Sequence, residues 1–157
     1  MTVPDIRPFV RYARALTLDE NSSFPTVSIP YDARLFYVMQ GEGIIAVDGK
    51  RIKMKKESAL IVNSGVEYSL KAPEGSMKLI AFNFDFISDG KNSATPVIPA
   101  TKSGYDPSRL LYHVEFEDEN APKLNRYLFI ENAKVIEKKC IALTSEYKKK
   151  LLAHSLG

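Results

Sequence analysis

The sequence predicts a mainly β fold, with short strands closing into a sandwich or barrel, followed by one α-helix. Three observations carry this. Between Phe24 and Phe86, runs rich in β-branched and aromatic residues recur at roughly the 8–12-residue spacing of an all-β domain. Turn-forming clusters separate them: Gly41-Glu42-Gly43, Asp48-Gly49, Asn63-Ser64-Gly65 and Pro73-Glu74-Gly75. After Asn132 the apolar period lengthens from two to about 3.6.

Residues 1–24 alternate arginine with apolar side chains (Arg7, Phe9, Arg11, Tyr12, Arg14) and are expected as an extended arm holding at most one strand. Phe24 to Ile29 is a short strand ended by Pro30, which cannot donate to a central ladder. Arg34 to Gln40 is a strand by composition. Gly41-Glu42-Gly43 is expected to turn it into a second strand, Ile44 to Val47. Asp48-Gly49 supplies the positive φ of a tight hairpin. Arg51 to Lys55 alternates charged and apolar residues, so one of its faces is wet. Ala59 to Val62 is apolar throughout and expected to be buried on both faces. Val66 to Leu70 follows the Asn63-Ser64-Gly65 turn. Met77 to Phe86 is expected as the longest strand, with Phe82, Phe84 and Phe86 on one face and Ala81, Asn83 and Asp85 on the other. Residues 87–108 hold three prolines and two glycines and are expected as a long loop over the barrel. Leu110 to Phe116 is expected to return as a strand, and Glu117 to Lys123 as a polar connection. Val135, Ile136, Cys140, Leu143, Tyr147 and Leu151 then mark one helix over Ala133–Ala153. Three units result: an arm (1–24), a ligand-binding β-barrel (25–118), and a connection with a C-terminal helix (119–157).

Composition bounds the function. The chain has 157 residues, 45% hydrophobic and 26% charged, which is ordinary for one globular domain. No apolar run nears the ~20 residues of a membrane helix, and the N-terminus lacks a signal-peptide core, so a cytoplasmic location and no membrane partner are expected. One cysteine, Cys140, permits no internal disulfide and fits a reducing compartment. A net charge of +3, dispersed along the chain, makes no case for nucleic-acid binding. There is no phosphate-binding loop, no dinucleotide fingerprint and no nucleophile elbow.

The run from Arg34 to Gly43, then Val47-Asp48-Gly49, then Ala59 to Tyr68, resembles the two motif blocks of the cupin superfamily. More narrowly, with Phe82 to Phe86 and the Ile130 to Leu152 segment, residues 25–152 resemble the N-terminal effector domain of AraC/XylS-type transcription regulators. The resemblance implies a cupin-like double-stranded β-helix (jelly roll), a small-molecule effector, dimerisation through C-terminal helices and a helix-turn-helix domain for DNA. No helix-turn-helix pair is recognisable in the 157 residues. The chain is therefore expected to be the sensor domain of such a regulator, a homodimer in the full-length protein, meeting DNA only through a domain not present here.

Metal cupins use two histidines and a glutamate from the first block and a histidine from the second. By the resemblance, the glutamate position falls on Arg34 and the last histidine on Tyr68, with the other two near Ser28 and Pro30 or Val27 and Ile29. A guanidinium is always charged. Two unit charges 4 Å apart interact by about 4 kcal/mol at an effective dielectric of 20, and a dication doubles the repulsion. No metal and no cofactor are therefore expected. The two histidines, His113 and His154, are read as a strand-surface group and a helix-end group.

If Arg34 faces inward, the two-residue period places Phe36 and Val38 beside it. The result is an apolar cavity with a fork-shaped cation, suited to a carboxylate or sugar hydroxyls. The candidate ligand-binding residues are Arg34, Tyr68, Asn83, Phe36, Thr26 and Tyr31. Each has a plainer alternative: Arg34 an ion pair with Asp32 or Asp85, Tyr68 core filling, Asn83 an outer solvated face. Tyr37 shares the ambiguity of Tyr31. Residues 4–14 are a candidate lid. Val135, Ile136, Leu143, Tyr147 and Leu151 either pack on the barrel or form a dimerisation stripe. The expected function is sensing of a sugar or sugar derivative without catalysis; the competing reading is a metal-independent sugar epimerase or isomerase using Tyr68 with a carboxylate.

Overall fold

The computed structural model describes residues 1–21, 24–71, 75–119 and 122–156. The Pro73-Glu74 part of the fourth expected turn and the His154 side chain lie outside the described residues. Eight strands and one helix follow one another: β1 (Phe9–Asp19), β2 (Phe24–Ser28), β3 (Ala33–Val47), β4 (Lys50–Lys55), β5 (Ala59–Val62), β6 (Tyr68–Lys71), β7 (Ser76–Asp85), β8 (Tyr127–Ile130) and α1 (Glu137–Leu156).

β3 organises the molecule. Its first half pairs with β7 and β5, and its second half with β4 and β6. One sheet runs β1-β7-β3-β5-β8; the other joins β2, β6, the end of β3 and β4. Every pairing between strands is antiparallel. The two sheets face each other across an apolar interior built from Phe36, Val38, Ile45, Val47, Leu60, Val62, Leu70 and Leu79. This is the mainly β, cupin-like jelly roll with a C-terminal helix that the sequence predicts. Burying each of these side chains contributes about 1.5–3 kcal/mol.

Gly41-Glu42-Gly43 is not a turn, and this corrects the expectation of two strands there. The strand passes through it and changes sheets. A register shift between Val38 and Gln40 is the bulge that bends it. Gly41 has φ +76°, and a Cβ there would lie 2.0 Å from the Ser76 carbonyl oxygen, so only glycine fits. At 15 residues β3, not the strand ending near Phe86, is the longest.

Three further corrections concern the flanks. Most of the expected arm is β1, an 11-residue edge strand laddered onto β7 from Phe9↔Asp85 to Asp19↔Ser76. Residues before it are tied down as well: Arg7 N–H donates to Phe86 O, and Val3 N–H to Asp118 Oδ2. Residues 4–14 therefore form part of the wall, not a free lid. Leu110 to Phe116 is extended but unladdered, because Tyr112 takes φ +49° and breaks the strand. β8 adds instead to β5, a strand not expected from the sequence.

The first sheet is covered outside as well as inside. Ile80 and Phe82 meet Ala133, Cys140 and Tyr147 of the helical segment. Phe86 stacks edge-on with Phe84 and with Phe116, under residues 114–124. The helix begins with a 3-10 turn (Lys134–Ile136) and docks on β1 through Cys140, Thr144 and Tyr147. The expected stripe therefore divides. Ile136 and Tyr147 face the barrel, while Val135 (89% exposed), Leu143 and Leu151 (48%) face away from it. No described helix is long and apolar enough to cross a membrane.

Candidate functional site

The jelly-roll interior is not filled. A cavity of about 430 Å³ opens between β1, β3, β6, β7 and the loop residues Pro96 to Pro99.

The register explains its lining. In one row across the first sheet, Tyr12 on β1 lies opposite Asn83 on β7, which lies opposite Arg34 on β3. In the next inward-facing row, Arg14 lies opposite Ala81, which lies opposite Phe36. Strand alternation turns all six inward, and all six line the cavity. The small Ala81 side chain sits at the centre of the second row and leaves the space open. Tyr68 closes the far wall, its ring 5.3 Å from that of Phe36.

Three polar side chains are deeply buried here: Arg34 is 7% exposed, Asn83 8% and Tyr68 9%. Arg34 Nε donates to Asp32 Oδ1 at 2.8 Å, and Arg34 Nη2 donates to the Val97 carbonyl at 3.1 Å. Of the two acids the sequence offered, Arg34 thus takes Asp32, while Asp85 is claimed by Arg11 at 2.8 Å. The remaining guanidinium N–H groups, the Tyr68 hydroxyl and the Asn83 side-chain amide find no hydrogen-bond partner among the described residues. These atoms face the cavity and are not sealed off from it, so water or a ligand entering there can satisfy them. Burial also pushes the Tyr68 hydroxyl above the ordinary phenol range, so it stays a donor. Burial holds the Asp32 carboxyl above the usual carboxylate range, despite the neighbouring Arg34. Asp32 Oδ2 has no hydrogen-bond partner.

Of the six residues expected to bind ligand, the fold brings Arg34, Phe36, Tyr68 and Asn83 together around this cavity. Thr26 is exposed on β2, outside the lining, although Ser28 from the same strand joins it. Tyr31 is fully buried elsewhere, stacked on Tyr105 and under the Arg109 guanidinium, with its hydroxyl accepting from Asp106 N–H. Tyr37 points to the helix side and donates to Glu137; burial first, and then Glu137, push its hydroxyl up to about 12. Tyr12 and Arg14 were missed as lining residues. Their alternation with Ala13 and Ala15 was the available signal.

The loop over the mouth is held by a backbone bridge between Ile29 and Ala100 and by side chains that reach its carbonyls. Arg11, buried at a bulge in β1, donates from Nη1 to the Ser93 carbonyl at 2.7 Å. Arg34 holds Val97, and Tyr147 on α1 donates to Arg11 O at 2.8 Å while lying 3.5 Å from Ala94 O. Cavity wall, loop and helix are therefore in direct contact.

Among the described residues, no three His, Cys, Asp or Glu side chains are grouped as a metal site requires. One cluster unites groups far apart in sequence. Ser64 Oγ lies 2.6 Å from His113 Nδ1, and His113 Nε2 lies 2.8 Å from Glu115 Oε1. It lacks what acyl transfer needs. Ser64 is buried, and the adjacent N–H groups of Ser64, Gly65 and Val66 are already donated to Asn63 Oδ1, Pro30 O and Asn63 O. Its role is to clasp residues 110–116 onto the β5–β6 turn, alongside Asn63, whose amide donates to Val114 O.

No protein-family model matches the chain, and no curated protein sequence matches it. Solved structures similar to it include the cupin domain of Schizosaccharomyces pombe Cnp3, at 23% identity and a TM-score of 0.42, over 51% of this chain and 65% of that one. A salicylate 1,2-dioxygenase from Pseudaminobacter salicylatoxidans matches at 23% identity and a TM-score of 0.40, over 52% of this chain and 27% of the enzyme. A cupin protein from Bacteroides fragilis matches at 17% identity and a TM-score of 0.41, over 52% of this chain and 68% of that one.

Proposed function

We propose that this chain binds a small polar metabolite, a sugar or sugar derivative, inside its jelly roll, and that it serves as the sensing and dimerisation domain of an AraC/XylS-type transcription regulator. The observation that carries the binding reading is the set of nine-tenths-buried polar groups, Arg34, Tyr68 and Asn83, left with unused hydrogen-bonding capacity around one cavity. Cavities of this kind orient a ligand with a few convergent polar groups against apolar walls, here Phe36, Leu70 and Val97. The regulatory reading is supported by the contacts from Arg34 to Val97 and from Tyr147 to Arg11. A ligand that competes for Arg34 frees Val97 from it and so loosens the part of the loop that reaches toward α1. A differential affinity giving about 1–3 kcal/mol of coupling suffices for regulation. Leu143 and Leu151, exposed on α1, are the proposed contacts with a second copy. DNA would be met by a helix-turn-helix domain of the same regulator.

The test is a thermal-shift screen of monosaccharides, sugar acids and small aromatic acids, with Arg34→Met in parallel. Saturation at 100 times Kd stabilises by about 2.7 kcal/mol, which for a chain of this size corresponds to a rise of several degrees. At least one compound is expected to raise the wild-type Tm and to leave Arg34→Met unmoved. If no compound shifts the wild type, the proposal fails.

A second reading, a metal-independent epimerase or isomerase, is favoured by the unpartnered Tyr68 hydroxyl and the nearby Asp32 carboxyl. It predicts that a bound sugar is converted, which proton NMR of the incubated ligand would detect.

A further inference from the structure

We infer that the ligand of this cavity is a ring-bearing monocarboxylate, not a neutral sugar, and that Arg14 is the residue that reads its charge. This rests on the cavity being an effector site. The observation is a charge imbalance. Two guanidinium groups, Arg14 and Arg34, line the cavity, and no Asp or Glu does. Arg34 is balanced by Asp32 at 2.8 Å, and Arg11, on the same strand as Arg14, by Asp85 at 2.8 Å. Arg14 has no carboxylate partner among the described residues; its guanidinium lies 5.9 Å from the Tyr12 ring centroid. One positive charge at the cavity is therefore uncompensated.

Position adds to charge. Arg14 and Phe36 flank Ala81 in one row, with the strands on either side of β7 about 10 Å apart. An occupant lying over Ala81 meets Phe36 at one end and the Arg14 guanidinium at the other. A flat apolar face with a carboxylate at its edge matches that order. Tyr68, Asn83 and the free N–H groups of Arg34 then donate to hydroxyls or to the second carboxylate oxygen. Arg14 is exposed and water screens it while the cavity is empty. A ligand filling the mouth excludes that water, which strengthens the ion pair and gives the acid its advantage. A phosphate dianion is a poorer match, because a single charge is uncompensated.

Isothermal titration of the full chain with matched pairs tests this: glucuronate against glucose, benzoate against benzamide, and glucose 6-phosphate as the dianion. At least one acid is expected to bind ten-fold or more tightly than its neutral partner. Arg14→Gln is expected to remove that preference and Arg14→Lys to keep most of it. Because Arg14 is an exposed edge-strand residue, both variants should keep the wild-type Tm, which is measured alongside. Glucose binding as tightly as glucuronate, with Arg14→Gln unchanged, overturns this inference and leaves the effector site standing. Preference for glucose 6-phosphate over both acids overturns the monocarboxylate. No heat from any compound overturns both the inference and the effector site.

Discussion

At the scale of single residues, burial decides which groups matter. Arg34 was legible because strand alternation links it to Phe36 and Val38, two apolar residues that must point inward. Asn83 was ambiguous, since both faces of β7 carry residues that belong in a core. The even face holds Phe82 and Phe84, and in this fold it faces the helix and the C-terminal segment, leaving Asn83 for the cavity. Tyr31 was misplaced because it precedes β3 and meets the loop at 105–111, whose path no local pattern encodes. Asp48 offers a test at this scale. Arg126 grips it through two hydrogen bonds, at 2.6 and 3.1 Å, and these hold its carboxyl below the ordinary value of 3.8. A depressed carboxylate contributes stability above its unfolded pKa and loses it as pH falls through the folded value. Arg126 is more than half exposed, so the contribution is below about 1 kcal/mol. Asp48→Asn is expected to lower the urea midpoint at pH 7, and the difference from the wild type is expected to shrink as pH falls below 3.8. An undiminished difference at pH 3 contradicts this.

At the scale of elements, β2, β4, β5 and β6 were legible because each is short and bounded by turn residues. Gly41-Glu42-Gly43 failed for a physical reason. A glycine pair is demanded equally by a tight turn and by a strand bending past another backbone. The length of β1 and its place in the wall were not legible because arginines interrupt its pattern, and β8 was missed because it is only four residues long. The two glycine sites separate sharply. At Gly41 an added Cβ meets the Ser76 carbonyl at 2.0 Å, whereas at Gly49, also with positive φ, it meets nothing within 4 Å. Gly49→Ala is expected to cost about 1 kcal/mol from backbone strain alone, and Gly41→Ala well over about 2 kcal/mol. Equal urea midpoints for the two variants contradict the close passage of β3 over β7.

At the scale of the whole molecule, barrel and helix were legible, but their connection through the loop was not. That connection consists of hydrogen bonds from Arg11, Arg34 and Tyr147 to carbonyls, and carbonyls carry no sequence signature. Tyr147→Phe removes the hydroxyl donated to Arg11 O. It is expected to lower stability by about 1 kcal/mol and to raise amide exchange both in α1 and at residues 93–97. Faster exchange in the helix alone contradicts the contact between helix and loop.

Occupancy of the interior cavity is tested most directly by methyl NMR, titrating the tightest-binding compound of the thermal-shift panel. Ala81, Leu70 and Val97 line the cavity, while Leu151 and Leu152 lie exposed on α1. The predicted result is that the first three resonances move together and saturate, and that Arg34→Met abolishes the change. Shifts confined to the helix leucines, or equal shifts in wild type and Arg34→Met, would contradict a ligand held by Arg34 inside the jelly roll.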